Sequence, residues 1–434
     1  MKKYCKNADF SKSLLRHGGF PVAVGAGKQQ QQQQSQRGVS LLIAVMVIVV
    51  MVSMIAEMIV STSVQVELAS GTRDRIKAEY LAKSGYNLAA FFLSVSHAID
   101  LVRANEKLVG PMKQDPMDGP QSLWNILNKL PPFGAKTVDL IKASARSEED
   151  PFKLGKLMNG DIAEQMRQFE DSFGVKIEDE SAKINVNDII IRDERVLTLL
   201  LRLFSGPVEK AYLQKRDLKG EQLVYRLLDY VSSTNQASAE SGLGDKDQEY
   251  QRGKVPYKAK RAPLDSVDEL KLVSGWDDEI FTIFSPYLTV YPFNKAKVES
   301  GSSLNINSVP REMLASLVPE AGSSACAEKF AQSLFTANKK SEARVTDQKD
   351  IGKFLKENAC YSGSTSDAGA KKSDPSTWFG VRSKVFRMTV TAETGNQRRE
   401  LVAVVQKFDP KEADEVRKSL KEKRALRILY WRFN

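Results

Sequence analysis

The chain is poor in the side chains that carry most metal and acid–base chemistry. Its 434 residues include two histidines, His17 and His97, and three cysteines. The cysteine spacing matches no zinc site, and the histidines are too few to help complete one. The sequence also shows no phosphate-binding loop, nucleophile elbow or Ser/His/Asp set. We therefore expect no enzymatic activity and no required cofactor.

Proline and charge are both missing from one stretch near the N-terminus. No proline occurs from Val39 to Lys107, and no charged residue occurs from Val39 to Ala56. At about 1.5 Å per residue the uncharged segment would form roughly 27 Å of helix, close to the thickness of a bilayer core. We predict one long helix over residues 39–95, with residues 39–60 crossing the membrane.

Small residues recur at helical spacing in the second half of this predicted helix. They are Ala78, Ala82, Gly85 and Ala89. Such a stripe favours close packing of the helix on another element, and we expect that element to be a sheet.

A glycine, Gly38, stands directly before the apolar segment and after the basic residue Arg37. A secretory signal peptide has its small-residue cleavage site after the apolar run instead. The order found here resembles a type IV pilin-like processing site, in which a peptidase cuts on the cytoplasmic side and the helix is kept. We predict cleavage between Gly38 and Val39.

The net charge of +10 is concentrated at the two ends of the chain. Residues 1–38 have seven basic residues and one acidic residue, and residues 409–434 have eight and five, so the body between them is nearly neutral. A neutral body gives little electrostatic reason to bind nucleic acid. The basic leader instead predicts a cytoplasmic N-terminus, with the bulk of the chain in the periplasm and a single pass through the inner membrane.

Cys326 and Cys360 are the only pair of cysteines after the leader. In an oxidising periplasm they could form a disulfide worth about 3–4 kcal/mol in the chain-entropy model. Two buried free thiols are the alternative, because a sequence does not show whether two side chains meet.

Patterning divides the chain into nine segments. Prolines punctuate an insertion, alternating apolar residues predict strands, and apolar residues at helical spacing predict helices. The predicted segments are a leader (1–38), the long helix (39–95), an insertion (96–165), pilin-like strands (166–190), a first helical module (191–285), a strand and connector (286–302), a second helical module (303–380), a β-hairpin (381–408) and a charged C-terminal helix (409–434).

Four signals in this order resemble the minor pseudopilin K of the type II secretion system. The first is the processing site with its helix. The others are IEDESAKINVN at 177–187, LLDYV at 227–231 followed by VDELKLVSG at 267–275, and LNINSVPREMLASL at 304–317. The closing hairpin at 384–407 also fits, so the resemblance covers most of residues 38–408.

The resemblance implies an α+β, pilin-like fold: a long N-terminal helix on an antiparallel sheet, with a large inserted α-helical domain of two small SAM-like modules. It also implies a subunit that is processed by the prepilin peptidase, caps the tip of the pseudopilus, helps to initiate its assembly for protein export across the outer membrane, and binds the minor pseudopilins of the I and J type.

The fifth residue after the predicted cleavage site is Ile43, where most pilins have glutamate. A buried carboxylate at that depth needs a partner, which in a filament is usually taken to be the terminal amine of the next subunit. A subunit at the tip has no neighbour above it, so Ile43 fits a capping position. A membrane residue in a non-pilin anchor would also be apolar.

The resemblance also implies calcium binding in the helical domain, but the family's calcium ligands are not all found in this chain. The family's Asp-Trp-x-Asp-x-Asp motif reads here Asp229-Tyr230-Val231-Ser232-Ser233-Thr234, so two acidic positions are lost. The nearby acidic residues Glu240, Asp245 and Asp247 could join Asp229 in a calcium site, since calcium prefers several carboxylate oxygens. A solvated acidic loop is the alternative.

Two other interpretations stay open from the sequence. Residues 267–276 and 305–318 resemble halves of helix-hairpin-helix modules, which would suggest a membrane-anchored DNA-binding protein. The segment after Leu317 lacks the expected Gly-x-Gly turn, however, and the neutral body argues against this function. A minor pilin of a related type IV pilus is the second alternative.

Overall fold

The structure is a computed structural model, and it describes most of the long N-terminal helix, the central region and the C-terminal sheet. The described residues are 30–104, 124, 126–130, 132–134, 171–191, 194–252, 255–292, 303–310, 313, 316–317, 345, 347–358, 377–407 and 426–434. The chain divides into two units, Met1–Ser70 and Gly71–Asn434.

Helix α1 runs from Gln30 to Ala104 without a break and therefore extends beyond both ends of the predicted helix. The absence of proline permits this length, because every residue can contribute its N–H to the helical ladder. Residues 38–69 are exposed throughout. Within the described residues, Gly38–Ser96 is the one helical stretch long and apolar enough to cross a membrane.

In the second unit, α1 packs on a sheet through the predicted stripe of small residues. Ala78 and Ala82 are fully buried against Val390, Ala392 and Leu401 of the sheet. One turn and more further along, Ala89 and Leu93 contact a second apolar cluster that includes Ile177, Phe386 and Met388. The prediction that the stripe faces a sheet is confirmed.

The sheet has four antiparallel strands in the order β1-β6-β7-β8. They are β1 (Ser172–Asp179), β6 (Val385–Thr394), β7 (Gln397–Lys407) and β8 (Leu426–Phe433). Strands β6 and β7 form the hairpin predicted around Gly395, which adopts a φ of 54°, a value that glycine reaches without strain. The remaining strands are two short parallel pairs, β2 (Ile184–Asn185) with β3 (Leu288–Thr289) and β4 (Leu304–Asn305) with β5 (Phe379–Gly380).

The predicted C-terminal helix is wrong over residues 426–433, which form strand β8 instead. This segment alternates aliphatic, aromatic and basic residues, a composition that suits a half-covered strand. It pairs with β7 from Lys407↔Leu426 to Leu401↔Phe433. The Trp431 ring also meets Tyr86 of α1 edge-on, with ring centroids 4.7 Å apart. Tertiary pairing therefore overrides the weak helical pattern. Residues 408–425 lie outside the described residues.

The helical region between β2 and β3 packs around an apolar core that also includes later residues such as Leu304, Ile351 and Phe379. Its elements are α3 (Glu194–Phe204), α4 (Pro207–Lys215), α5 (Gly220–Val231), α6 (Gln248–Gln251), a 3-10 helix (Val267–Leu272) and α7 (Asp278–Phe284). Phe204 stacks on Phe284 with ring centroids 4.0 Å apart, and it meets Trp276 edge-on with ring centroids 5.5 Å apart. Two further helices are α2 (Ile126–Lys129), within the predicted insertion, and α8 (Gln348–Asn358), within the predicted second module.

Paired asparagines hold the short parallel strands in place. In each of the two Asn-x-Asn segments, the first side chain accepts a hydrogen bond from the backbone N–H of the second, at 3.1 Å for Asn185 and 3.0 Å for Asn305. The second asparagine then reaches a distant chain segment: Asn187 donates to the carbonyl oxygens of Leu264 and Val290. The two similar sequence segments thus form two similar turns, each of which satisfies buried backbone groups.

A buried carboxylate joins these turns to the sheet. Glu180 accepts from Lys183 Nζ at 2.9 Å and from Arg387 Nε of β6 at 2.6 Å. Burial alone would raise the pKa of Glu180, but the charges of Lys183 and Arg387 outweigh burial and hold it below its ordinary value. The neighbouring Asp179 lacks such cations, and burial raises its pKa even though Ser383, Ser308 and Asn305 hydrogen-bond to it.

The two glycines of α1 in the second unit predict opposite effects of the same substitution. A Cβ at Gly85 would lie 2.5 Å from Val390 Cγ1 and 2.8 Å from Phe173 Cδ2, whereas a Cβ at Gly71 would meet nothing within 4 Å. Alanine favours a helix by about 1 kcal/mol over glycine, and overpacking costs about 1–3 kcal/mol. We expect Gly85→Ala to lower the thermal unfolding temperature of the detergent-solubilised chain and Gly71→Ala to raise it slightly. Equal shifts for the two variants would contradict this packing.

Candidate functional site

The predicted processing site lies within α1. Gly38 and Val39 are exposed, and a Cβ at Gly38 would meet nothing within 4 Å. Glycine in a helix interior favours local unwinding, because it gains more conformational freedom on opening than other residues do. Cleavage between Gly38 and Val39 stays a prediction. Ile43, one turn further along, has 55% of its surface exposed in the single chain.

The disulfide prediction concerns residues that the structure does not describe. Cys326 and Cys360 lie outside the described residues, as does Cys5 of the leader. Their pairing stays a prediction.

The four acidic residues predicted as calcium ligands lie in and around the loop that follows α5. Asp229, near the end of that helix, is buried, and its two carboxylate oxygens accept from the Ser238 backbone N–H at 3.0 and 2.9 Å. Ser238 Oγ donates to it as well, at 2.7 Å. Asp229 therefore clamps the far side of the loop to the helix.

Asp247 makes a similar clamp at the other end of the loop. It accepts from the Ala259 backbone N–H at 3.0 Å and from Arg261 Nη2 at 2.8 Å. The hydrogen bond from Arg261 is the main reason that the pKa of Asp247 lies below its ordinary value. Asp245 accepts from the Asp247 backbone N–H at 2.8 Å, and Glu240 is exposed.

The four acidic side chains predicted as calcium ligands do not fit a calcium ion. Among the residues that the structure describes, no group of three or more His, Cys, Asp or Glu side chains could hold a metal. Calcium takes six to eight oxygen ligands, whereas Asp229 and Asp247 direct their carboxylates at protein N–H and O–H donors. The structure does not bring the four predicted ligands into one site.

A lysine that the sequence analysis missed lies inside the same loop. Lys246 is 1% exposed. Its Nζ donates to Ser232 Oγ at 2.6 Å, the Thr234 carbonyl oxygen at 2.8 Å, Thr234 Oγ1 at 3.1 Å and the Ser232 carbonyl oxygen at 3.4 Å. The available signal in the sequence was a basic residue 14 and 12 positions after Ser232 and Thr234, where hydroxyl side chains stand in place of the acidic residues of the motif.

The helical region between β2 and β3 is similar to a known protein family. Residues 182–293 match a family model described as type II secretion system (T2SS), protein K. A comparison with curated proteins finds no match.

Among solved structures, the chain is similar to one chain of the crystal structure of the GspK–GspI–GspJ complex from the type 2 secretion system of enterotoxigenic Escherichia coli. The TM-score is 0.50 at 16% sequence identity, and the match covers 84% of this chain and 99% of that chain. At this identity the likeness shows the fold, which is α+β and pilin-like. Residues 182–293 are therefore similar to protein K of the type II secretion system, and the solved structure adds a likeness of fold over most of the chain.

Proposed function

We propose that this chain caps the tip of the type II secretion pseudopilus and helps to initiate its assembly. The observation that carries the proposal is the protein K segment, residues 182–293, set within a pilin-like fold with one long apolar helix. The apolar half of α1 would anchor the precursor in the membrane and later join the other subunits in the filament. The role is structural, since the chain contributes surfaces to an assembly.

The placement at the tip rests on Ile43. A glutamate at this depth needs a cationic partner, because an unpaired charge in hydrocarbon costs several kcal/mol. The subunit at the top of a filament has no neighbour above it to supply that partner. An apolar side chain at this position therefore costs nothing at the tip.

The proposed location follows from the leader and α1. The basic residues of the leader favour a cytoplasmic N-terminus. The exposed apolar stretch that starts at Gly38 is long enough for one membrane crossing. The sheet and the helical region would then lie in the periplasm.

The exposed face of α1 in the second unit offers a surface for partner subunits. Ile76, Tyr80 and Phe91 lie within about 60° of one another around the helix axis and are 49%, 65% and 62% exposed. They project away from the face that the small residues present to the sheet. The similar solved structure is a complex of three proteins, and we propose that this apolar face binds the helices of the I-type and J-type minor pseudopilins.

If the chain is cut after Gly38, a bulky residue at this position should prevent the cut, whereas the same residue elsewhere in α1 should not. Gly38→Leu should block removal of residues 1–38 by the prepilin peptidase, because the enzyme must accept the residue before the cut. Gly71→Leu is the matched control, since neither glycine has a neighbour within 4 Å of its added Cβ. The N-terminus of the membrane-extracted protein, read by mass spectrometry, should be Val39 in the control and Met1 in Gly38→Leu. A control or wild-type N-terminus other than Val39 would refute the cleavage site.

The partner surface predicts that charge on α1 breaks the complex. Phe91→Glu and Tyr80→Glu should each reduce co-purification with the I-type and J-type subunits about tenfold or more, because buried aromatic anchors dominate interface energies. Val255→Glu is the control, since Val255 is a 78% exposed apolar residue in the helical region. Unchanged co-purification of both α1 variants, with unfolding temperatures equal to wild type, would show that the partners bind elsewhere.

Location within the filament tests the capping role. In pseudopili assembled by overproducing the major subunit, gold-labelled antibody against this chain should mark one end only, whereas antibody against the major subunit marks the whole length. Label repeated along the filament would identify this chain as an ordinary stacking subunit.

A further inference from the structure

The loop after α5 contains a cation that belongs to the chain itself. The Lys246 ammonium is buried, and the oxygens that surround it include the carbonyl and the hydroxyl of both Ser232 and Thr234. Both residues precede Lys246 by more than ten positions. The contacts therefore tie the end of the loop back to its beginning, next to the C-terminus of α5 at Val231.

The residues around this ammonium are neutral where the acidic motif would be charged. Ser232 and Thr234 occupy the two positions at which the acidic motif that this segment resembles would have carboxylates. Two carboxylates would balance a divalent cation, whereas neutral hydroxyl and carbonyl oxygens suit a single positive charge. The single charge of the Lys246 ammonium therefore suits the neutral oxygens of Ser232 and Thr234.

The geometry is that of hydrogen bonding. Charge-assisted N–H···O distances are about 2.7–2.9 Å, and the contacts to Ser232 Oγ and the Thr234 carbonyl oxygen, at 2.6 and 2.8 Å, lie close to that range. Calcium–oxygen distances are shorter, at about 2.3–2.6 Å. The ammonium therefore occupies the position between these oxygens that a bound cation would otherwise take.

We propose that Lys246 is the structural cation of the loop from Ser232 to Asp247, which is ordered without a bound divalent metal. The Asp229 and Asp247 clamps hold the same loop through protein donors. Its order then depends on covalently attached groups rather than on the calcium concentration of the periplasm.

Metal independence of the wild-type chain is the first test. The full chain, purified in detergent, is unfolded thermally in EGTA, in excess CaCl2 and in excess MgCl2. We expect unfolding temperatures within about 1 °C of one another, because a ligand that does not bind the native state adds no stability. A rise specific to calcium of about 3 °C or more would overturn the proposal.

Removal of the ammonium is the second test. Lys246→Met keeps most of the stem and removes the charge, and Lys210→Met is the control because Lys210 is exposed on α4. We expect Lys246→Met to lower the unfolding temperature by roughly 5 °C and to speed chymotryptic cleavage at Leu243 or Tyr250 about tenfold. The control should match wild type. Equal cleavage and melting for the two variants would refute a structural role for the ammonium.

A milder variant covers the case in which Lys246→Met does not fold. Thr234→Val removes one oxygen from the ammonium and keeps the size of the side chain. We expect about threefold faster chymotryptic cleavage in the loop, in EGTA and in calcium alike. Cleavage that calcium slows, or cleavage at the wild-type rate, would contradict the assignment.

Discussion

The close approach of α1 to the sheet is the constraint on which the second unit depends. A helix can lie this near to β6 only if its facing residues are small, and at Gly85 even one methyl group would overlap Val390 and Phe173. The same contact places the apolar clusters on both sides of that glycine, around Ala82 and around Leu93. It also leaves the opposite side of the helix free to carry Ile76, Tyr80 and Phe91. In the proposed assembly, α1 would serve both as a core element and as a contact surface, and its two faces differ in side-chain size accordingly.

A second constraint applies where the sheet meets the helical region: buried backbone groups and buried charges there need hydrogen-bonding partners. The Asn-x-Asn turns satisfy strand-end N–H and carbonyl groups that short two-residue strands leave unpaired. Glu180 is stabilised in its ionised form by Lys183 and Arg387, whereas Asp179 is held among neutral donors, and burial raises the pKa of Asp179. The pKa values of these two adjacent carboxyl groups are thus shifted in opposite directions, because their neighbours differ in charge.

Periodicity and residue size made the long helix, its small-residue face and the β6–β7 hairpin predictable, because each is encoded by local spacing. Strand β8 was not, since its residues pair with β7 residues that lie 19 to 32 positions earlier in the chain. The charge-rich residues before Leu426 suggested a helix, whereas the aromatic anchor Trp431 acts only in the folded sheet. The family resemblance came from motifs whose side chains prove to be structural: Asn185 and Asn187 bond within the protein.

The loop after α5 shows how a recognisable motif can make its contacts within the protein. Calcium binding at Asp229 was expected from the family's acidic motif, and in the structure the Asp229 carboxylate accepts hydrogen bonds from the Ser238 N–H and hydroxyl. The stabilisation that a bound ion gives a folded loop varies with the free concentration of that ion. A lysine ammonium on the chain is always present, and the entropy cost of holding it is limited to its own side chain. An exported subunit whose loop is held by Lys246 would therefore keep one conformation at any external calcium concentration.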